Sequence, residues 1–318
     1  MGNDYFALTW SRTDNFAGEN INFKEMKKTI ILVAIAVLSA TNISGKIVRR
    51  TLGIFESSVP ETEIIAPEYM EFVYDYKCCV DTTGTLEDNI ESDRMLLQIG
   101  PGGLSKFSSY KNLIVDSILM RSSQEQIVAA AVDGKLSNGE FMTVYKNYPA
   151  GCLTHTEKIC QDWFMYEEPM PEFEWELTDS VETVLGYECH GACCCFRGRQ
   201  WTVFFTEDIP AAEGPWKFCG LPGLIMKASD EKGHYTFECV GIKSAASRPI
   251  TIYKVPFNKT TREKYYDTRH CYECNPYGYF EATTGGHVTV TDQSGNILTD
   301  SYDPIDLMYD YLERDWKK

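Results

Sequence analysis

The stretch "LIMKASDEKGHYTFECVGIKSA" (residues 224–245) predicts a β-hairpin. It opens with three apolar residues, which are typical of a buried strand. Asp230 to Gly233 then supply the polar and glycine residues that form turns. After the turn, Tyr235, Phe237 and Cys239 alternate with other residues, which is the two-residue period of a strand. This part of the chain is therefore expected to lie in an antiparallel sheet.

Strand patterns of the same kind recur along the chain. They cover residues 68–80, 94–100, 174–178, 187–195 and 201–206. Gly198 favours a tight turn between the last two of these strands. Helix signals are few: a Ser/Thr-x-x-Glu pattern ending at Glu263 predicts a helix over 261–270, and 303–316 is compatible with a short amphipathic helix. We therefore predict a mainly β fold, built as a single antiparallel, strongly curved sheet or a partly open barrel with one or two short helices.

The composition indicates a globular protein and limits the classes of partner that it can bind. The chain has 318 residues, a formal net charge of −16 and 43% hydrophobic residues, so it can bury a sizeable core. The acidic balance argues against nucleic acid and anionic membrane surfaces as partners, because both are bound by clustered Lys and Arg. No repeat or Pro-rich linker interrupts residues 46–318, which are predicted to form one domain.

The segment "MKKTIILVAIAVLSATNISG" (26–45) has the pattern of a secretory signal peptide. Two lysines precede a short apolar run, and small polar residues follow it. The alternative is a buried N-terminal strand or helix. Because a signal peptide stands at the start of a chain, residues 1–25 are interpreted as an unstructured, misassigned upstream start. We expect export to the periplasm or secretion, with no stable membrane insertion after signal removal.

Cysteine is abundant, with twelve residues, an even number. In an exported protein such cysteines are expected to form disulfides, whose pairing the sequence does not define. Free thiols and a soft-metal site remain as alternatives, since Cys-x-x-Cys and Cys-x-x-x-Cys spacings suit metal ligands. The ligands of that alternative site would be Cys189, His190, Cys193, His270, Cys271 and Cys274.

The loop before the hairpin, residues 214–223, is rich in proline, glycine and aromatic residues. Proline followed by glycine favours a type II turn, with a positive φ at the glycine. The residues assigned to this structural turn are Gly220, Pro222 and Gly223. Aromatic loops also line binding pockets, so the alternative is a ligand-contacting lip. The residues assigned to that lip are Trp216, Phe218, Leu221, Pro222 and Gly223.

The string "GPWKFCGLPGLIMKASD" (214–230) resembles the motif that names the GLPGLI family of exported proteins in Bacteroidota-type bacteria. Three further strings resemble family blocks in the same order. They are "RMLLQIGPGGLSKFSSY" (94–110), "VLGYECHGACCCFRGRQWTVFFTEDIP" (184–210) and "YDPIDL" (302–307). The resemblance covers roughly residues 46 to 310 and implies export and a β-rich fold. It implies no activity, because the family has no established biochemical role.

No catalytic residue is assigned, because the sequence holds neither Gly-x-Ser-x-Gly nor His-Glu-x-x-His. The leading hypothesis is a periplasmic or envelope protein without catalysis and without a cofactor. It would hold an apolar small molecule on a curved sheet or assist an outer-membrane system. One alternative is a cysteine- or metal-dependent hydrolase or oxidoreductase built on 189–195 and 271–274. Another is an interaction partner of an outer-membrane transporter.

Overall fold

The computed structural model describes most of the chain after residue 58 and three short stretches before it. The described residues are 7–11, 42–43, 46–47, 59–67, 69–123, 125–127, 130, 136, 138–243, 248–285, 287–291, 304 and 306–317. The chain divides into two compact units. The larger unit comprises Pro60–Lys158, Asp162–Tyr266 and Met308–Lys318, and the smaller comprises Met1–Val59, Ile159–Gln161 and Asp267–Leu307.

A twelve-stranded sheet forms the frame of the larger unit. In spatial order its strands are β11 (Glu176–Val184), β12 (Tyr187–Phe196), β13 (Arg199–Thr206), β14 (Leu224–Asp230), β15 (Tyr235–Lys243), β5 (Met70–Cys79), β6 (Ile90–Ile99), β7 (Ser105–Ser109), β8 (Thr143–Lys146), β9 (Cys152–Ile159), β10 (Asp162–Pro169) and β17 (Phe257–Lys259). Neighbouring strands from β11 to β9 are antiparallel, whereas β17 joins β10 in parallel.

The mainly β fold with few helices is confirmed, but the predicted single antiparallel, strongly curved sheet or partly open barrel is wrong. The sheet is mixed and is neither closed nor strongly curled. Hairpin signals in a sequence predict only antiparallel neighbours, because a parallel pair needs a long crossover connection. β10 ends at residue 169 and β17 begins at residue 257. Because the two strands are so far apart in the sequence, no local pattern predicts their pairing.

One row of cross-strand neighbours follows the core face of the sheet. Its directly opposed members are Tyr76, Phe237, Ala228, Val203, Ala192 and Leu177, from β5 to β11. All of them except Leu177 are buried. The row therefore begins in the centre of the core and ends at the edge of the sheet with an exposed apolar side chain.

The predicted helix over 261–270 is confirmed and extends further. Helix α2 spans Arg262–Cys274, after α1 at Tyr110–Arg121. The Thr261 hydroxyl accepts a hydrogen bond from the Lys264 N–H (3.4 Å), so the helix cap lies at Thr261. The helix expected within 303–316 is wrong for the described residues of that segment, which have no helical conformation.

Short elements complete the larger unit. Strand β4 (Thr62–Ala66) pairs antiparallel with β16 (Ile250–Tyr253) in a sheet of two strands. Single turns of 3₁₀ helix lie at Glu87–Asn89 and Pro101–Gly103.

Two strand pairs and a helix are described in the smaller unit. β1 (Ala7–Ser11) pairs antiparallel with β18 (His287–Thr291), and β2 (Asn42–Ile43) with β3 (Lys46–Ile47). Helix α3 (Pro276–Thr284) is capped by Asn275, whose side-chain oxygen accepts the Gly278 N–H at 2.9 Å.

The division of the chain into 1–25, 26–45 and 46–318 stays a prediction. Of the first two segments only 7–11 and 42–43 are among the described residues, so the upstream start and the signal peptide stay predictions. Within the described part of the chain, no helix is long and apolar enough to cross a membrane.

Candidate functional site

The loop between β13 and β14 inserts its aromatic side chains into the core. Trp216, Phe218 and Leu221, which the sequence suggested as ligand contacts, are all buried, whereas Pro222 is exposed. The ring of Trp201 lies 4.9 Å from that of Phe218 and 5.8 Å from that of Trp216 between centroids. These rings therefore contribute to packing, and they do not form an open lip in this structure.

The turn assigned to Pro222 and Gly223 differs from the predicted type II turn. Positive φ occurs at Gly220 (91°) and not at Gly223. A Cβ atom at Gly223 would lie 2.0 Å from the carbonyl oxygen of Thr206, at the end of β13. Glycine is thus required at 223 because two backbone segments approach each other closely.

A buried lysine lies against this loop. The Nζ atom of Lys146 donates hydrogen bonds to the carbonyl oxygens of Gly214 (2.7 Å) and Phe218 (2.8 Å). It also lies 2.6 Å from Oε2 of Glu213, which accepts a hydrogen bond from the Ser105 hydroxyl at 3.0 Å. These three acceptors match the three N–H groups of an ammonium. The buried Lys146 side chain therefore stabilises the position of the loop.

A second buried lysine belongs to the loop itself. Nζ of Lys217 lies 2.7 Å from Oε1 of Glu313 and 2.5 Å from Oε1 of Glu168. It also lies 3.2 Å from the Tyr166 hydroxyl oxygen. Lys217 and Glu313 are fully buried, so this pair joins the loop to the C-terminal segment inside the protein.

Two arginines complete the neutralisation of these carboxylates. Arg197 pairs with Glu168 and lies 3.3 Å from Glu313, while Arg262 lies 2.8 Å from both Glu313 and Asp315. Burial alone would raise the pKa of Glu313. Lys217, Arg197 and Arg262 outweigh burial and hold the pKa of Glu313 at about 2, so the carboxylate is charged at neutral pH.

His155 lies next to this network and was not singled out from the sequence. Its ring stacks on Tyr166 with centroids 4.6 Å apart, and its Nε2 lies 3.3 Å from Oε2 of Glu157. The hydroxyl of Tyr265 donates a hydrogen bond to the same carboxylate oxygen. Burial lowers the pKa of His155 more than Glu157 raises it, so the imidazole is neutral at pH 7.

A fully buried arginine holds the C-terminal segment. Nη1 of Arg199 lies 2.6 Å from Oδ2 of Asp230, which is also buried. Nη2 donates to the carbonyl oxygen of Tyr311 (2.7 Å) and Nε donates to that of Leu312 (3.1 Å). The carbonyls of Tyr311 and Leu312 are thus bound by a side chain and not by helical N–H groups, in agreement with the absence of helix among the described residues of this segment.

Another cluster lies between β7, α1 and β16. Nζ of Lys106 donates to the carbonyl oxygen of Thr251 at 2.8 Å, and the Tyr253 hydroxyl donates to Oδ2 of Asp116. Burial lowers the pKa of Lys106 to about 8 and raises the pKa of Asp116. Lys106 therefore releases its proton far more readily than an exposed lysine does.

The cysteines of β12 alternate between the two faces of the strand. Cys194 is buried opposite Trp201, whereas Cys195 is exposed and its Sγ lies 2.6 Å from Oε1 of Gln200. Burial raises the pKa of Cys194 to about 12 and also raises that of Cys189. Both of these thiols are therefore protonated at neutral pH, and no disulfide is present among the described residues.

The six proposed metal ligands fall into two groups. Cys189, His190 and Cys193 belong to the larger unit, and the side chain of His190 is half exposed. His270, Cys271 and Cys274 belong to the smaller unit, where Sγ of Cys274 lies 3.7 Å from Nε2 of His270. Among the described residues, no three His, Cys, Asp or Glu side chains are placed to hold a metal ion. The metal hypothesis thus gains no geometric support.

The edge strand β11 carries exposed apolar side chains. Leu177 is 71% exposed and Val181 is 57% exposed. Leu177 pairs with Ala192 and Val181 pairs with His190, so both side chains lie on the face that forms the core in the neighbouring strands. The core face of the sheet is therefore exposed to solvent at these two positions of β11.

The other face of β11 is acidic. Glu176 pairs with Cys193 and Glu182 pairs with Cys189, on the side of the strand opposite Leu177 and Val181. Glu182 forms an ion pair with Lys227. Glu176 is exposed, as is Asp179 in the irregular stretch between Leu177 and Val181.

A family model matches part of this site. A family model described as a protein of unknown function (Porph_ging) matches residues 196–227, from the end of β12 through the loop to β14. That family is associated with Bacteroidota. No curated protein matches the chain in sequence.

Solved structures that match include PNGF-II in two crystal forms. They are 13% and 14% identical to this chain, with TM-scores of 0.41 and 0.40. The alignments cover 63% and 62% of this chain but 32% of each PNGF-II chain. The matched part thus spans about a third of PNGF-II.

Proposed function

We propose that this chain is an exported member of the GLPGLI family that acts in the bacterial envelope without catalysis, as a docking protein for another protein. One observation carries the proposal. The core face of the twelve-stranded sheet continues onto edge strand β11, where Leu177 and Val181 are left exposed. Uncovered apolar surface on a sheet edge is a common feature of sites where another chain adds to the sheet.

The docking role fits the packing better than an apolar small-molecule carrier does. On the core face, one row of opposed residues in β12 to β15 is fully buried: Ala192, Val203, Ala228 and Phe237. The rings of Trp216 and Phe218 add to this packing. The apolar surface that remains available lies on β11, at the edge of the sheet.

The enzyme alternative has less support. Lys217, Glu313 and His155 form the kind of cluster that catalysis uses, but all three are buried and their partners are supplied by the fold. Ion networks of this kind also occur as structural elements. The buried thiols of Cys189 and Cys194 have raised pKa values, which makes them weak nucleophiles.

Export is tested by fractionation of cells that express the full chain in a Bacteroidota host. We expect the protein in the periplasmic or membrane-associated fraction, with a mature N-terminus after residue 40. Full-length protein in the cytoplasm would contradict export.

Docking is tested by placing a photo-crosslinking amino acid at position 177 or 181 in the same cells. Ile64 on β4 is a matched control, because it is 66% exposed and also lies on a strand. We expect discrete crosslinked species from 177 and 181 and none from 64. Absence of crosslinks at both β11 positions, or the same pattern at 64, would overturn the docking function.

A further inference from the structure

We infer that the segment bound by β11 is an extended strand of another protein in which apolar and basic residues alternate. This inference rests on the proposed docking function and specifies the chemistry of the partner. It follows from three features of β11: its position in the sheet, the polarity of its two faces and its surplus negative charge.

The position of β11 leaves one side of its backbone available. β11 ends the order of the twelve-stranded sheet, and β12 is its only strand neighbour in the described part of the chain. An incoming strand can therefore pair with its outer side through backbone hydrogen bonds. The pairing of β11 with β12 shifts between Leu177 and Val181, so the regular stretch Val181–Val184 is the natural pairing site.

The two faces of β11 differ in polarity. Val181 lies on the core face, with Leu177 beyond the irregular stretch. Glu176 and Glu182 lie on the opposite face, together with the buried Val184. Side chains of an added strand also alternate between the two faces. Its apolar residues would extend the core over Leu177 and Val181, and its other residues would face the carboxylates.

The charge of this region selects the partner. Glu176 and Asp179 are exposed acids on β11, and Lys227 pairs with Glu182. A second copy of β11 added to this edge would bring carboxylates together, which is unfavourable. A strand that carries Lys or Arg at alternate positions gains charge complementarity instead, so the occupant is a different, cationic chain.

The test measures binding of short labelled peptides to the purified full chain by fluorescence anisotropy. The probe is a seven-residue peptide in which Lys and Val alternate, with capped ends. One control peptide has Glu in place of Lys, and another has the same composition with the Val residues in one block. We expect at least tenfold tighter binding of the alternating Lys peptide than of either control.

Charge reversal on the protein tests the same contact from the other side. Glu176→Lys combined with Asp179→Lys is expected to weaken binding of the Lys peptide at least tenfold and to strengthen binding of the Glu peptide. Met120→Asp on α1 is the control, since Met120 is exposed outside the sheet. Two further peptides test strand addition, one N-methylated at the odd-numbered residues and the other at the even-numbered residues. In an added strand only one of these two sets of N–H groups faces β11, so only one methylation pattern should abolish binding.

The outcomes separate the inference from the docking function. Equal affinity for all peptides, or affinity that charge reversal does not change, would overturn the cationic partner. If both methylation patterns abolish peptide binding, or if neither pattern weakens it, strand addition is overturned. If crosslinks from 177 and 181 still form in cells, the docking function stands while the partner chemistry is refuted. If those crosslinks are also absent, both fail.

Discussion

The ammonium of Lys217 lies 2.7 Å from the carboxylate of Glu313, and both side chains are completely buried. Lys217 stands in the loop between β13 and β14, and Glu313 stands in the C-terminal segment. A buried pair is costly to desolvate, so it holds only while each charge keeps its partners. The loop and the C-terminal segment therefore depend on each other for their positions.

Replacing Lys217 with Met is expected to lower the free energy of unfolding by about 3–5 kcal/mol, because Glu313 and Glu168 lose a buried cation. Urea unfolding followed by tryptophan fluorescence measures the change. Lys232→Met is the matched control, since Lys232 is exposed and should change the value by less than about 0.5 kcal/mol. Equal losses in the two variants would refute the role of the Lys217 pair.

The lowered pKa of Glu313 predicts acid sensitivity. Its pKa is about 2 in the folded protein against 4.5 as the reference value, so the unfolded chain takes up the proton first. The contribution to stability is complete above pH 4.5 and is lost as the pH falls towards 2. A shift of this size corresponds to roughly 3 kcal/mol.

Urea unfolding at a series of pH values between 7 and 2 measures this dependence. Glu313→Gln should be less stable at pH 7 and should show a flatter decline below pH 4.5 than the unaltered protein. His155 adds its own decline below pH 6.5, because its pKa is lowered in the folded state and the unfolded chain protonates first. Curves of the same slope below pH 4.5 would contradict the assignment to Glu313.

The loop requires glycine at two positions for different reasons: a close backbone approach at Gly223 and a positive φ at Gly220. Gly223→Ala would place a Cβ atom 2.0 Å from the Thr206 carbonyl oxygen, and we expect a loss above about 3 kcal/mol or failure to fold. Gly220→Ala meets only Trp175 at 3.8 Å, so it should cost about 1–2 kcal/mol for its positive φ. Thermal unfolding measures both, and the reverse order of losses would contradict the close approach at 223.

Arg199 is expected to control the C-terminal segment. Arg199→Lys keeps the charge near Asp230 but cannot supply all three contacts, so the carbonyls of Tyr311 and Leu312 lose their donors. We expect faster amide exchange and faster proteolysis within 308–317. Arg94→Lys is the control, because the Arg94–Asp75 pair is exposed. Unchanged exchange in the Arg199 variant would show that other contacts suffice.

The elements that the sequence predicted correctly are those with local causes. The hairpin of β14 and β15, the turn at Gly198 and the helix over 261–270 each follow from neighbouring residues. The position of β5 between β15 and β6 depends on distant pairing, and no short pattern encodes it.

The same limit explains what was missed in the candidate site. Lysine is mostly exposed in proteins, so burial of Lys146 and Lys217 was not expected before their acceptors were known. The aromatic partners of His155 are Tyr166, in the next strand, and Tyr265 in α2, which is distant in sequence. The exposure of Leu177 became evident only once β11 was located at the edge of the sheet.

The most direct test of the docking account is the yield of crosslinked complex from position 181 in cells that carry Leu177→Ser. Ile64→Ser is the matched control, since Leu177 and Ile64 are exposed to a similar extent. The account predicts that the complex is lost with Leu177→Ser and kept with Ile64→Ser, at equal protein levels. A yield that Leu177→Ser leaves unchanged would contradict it.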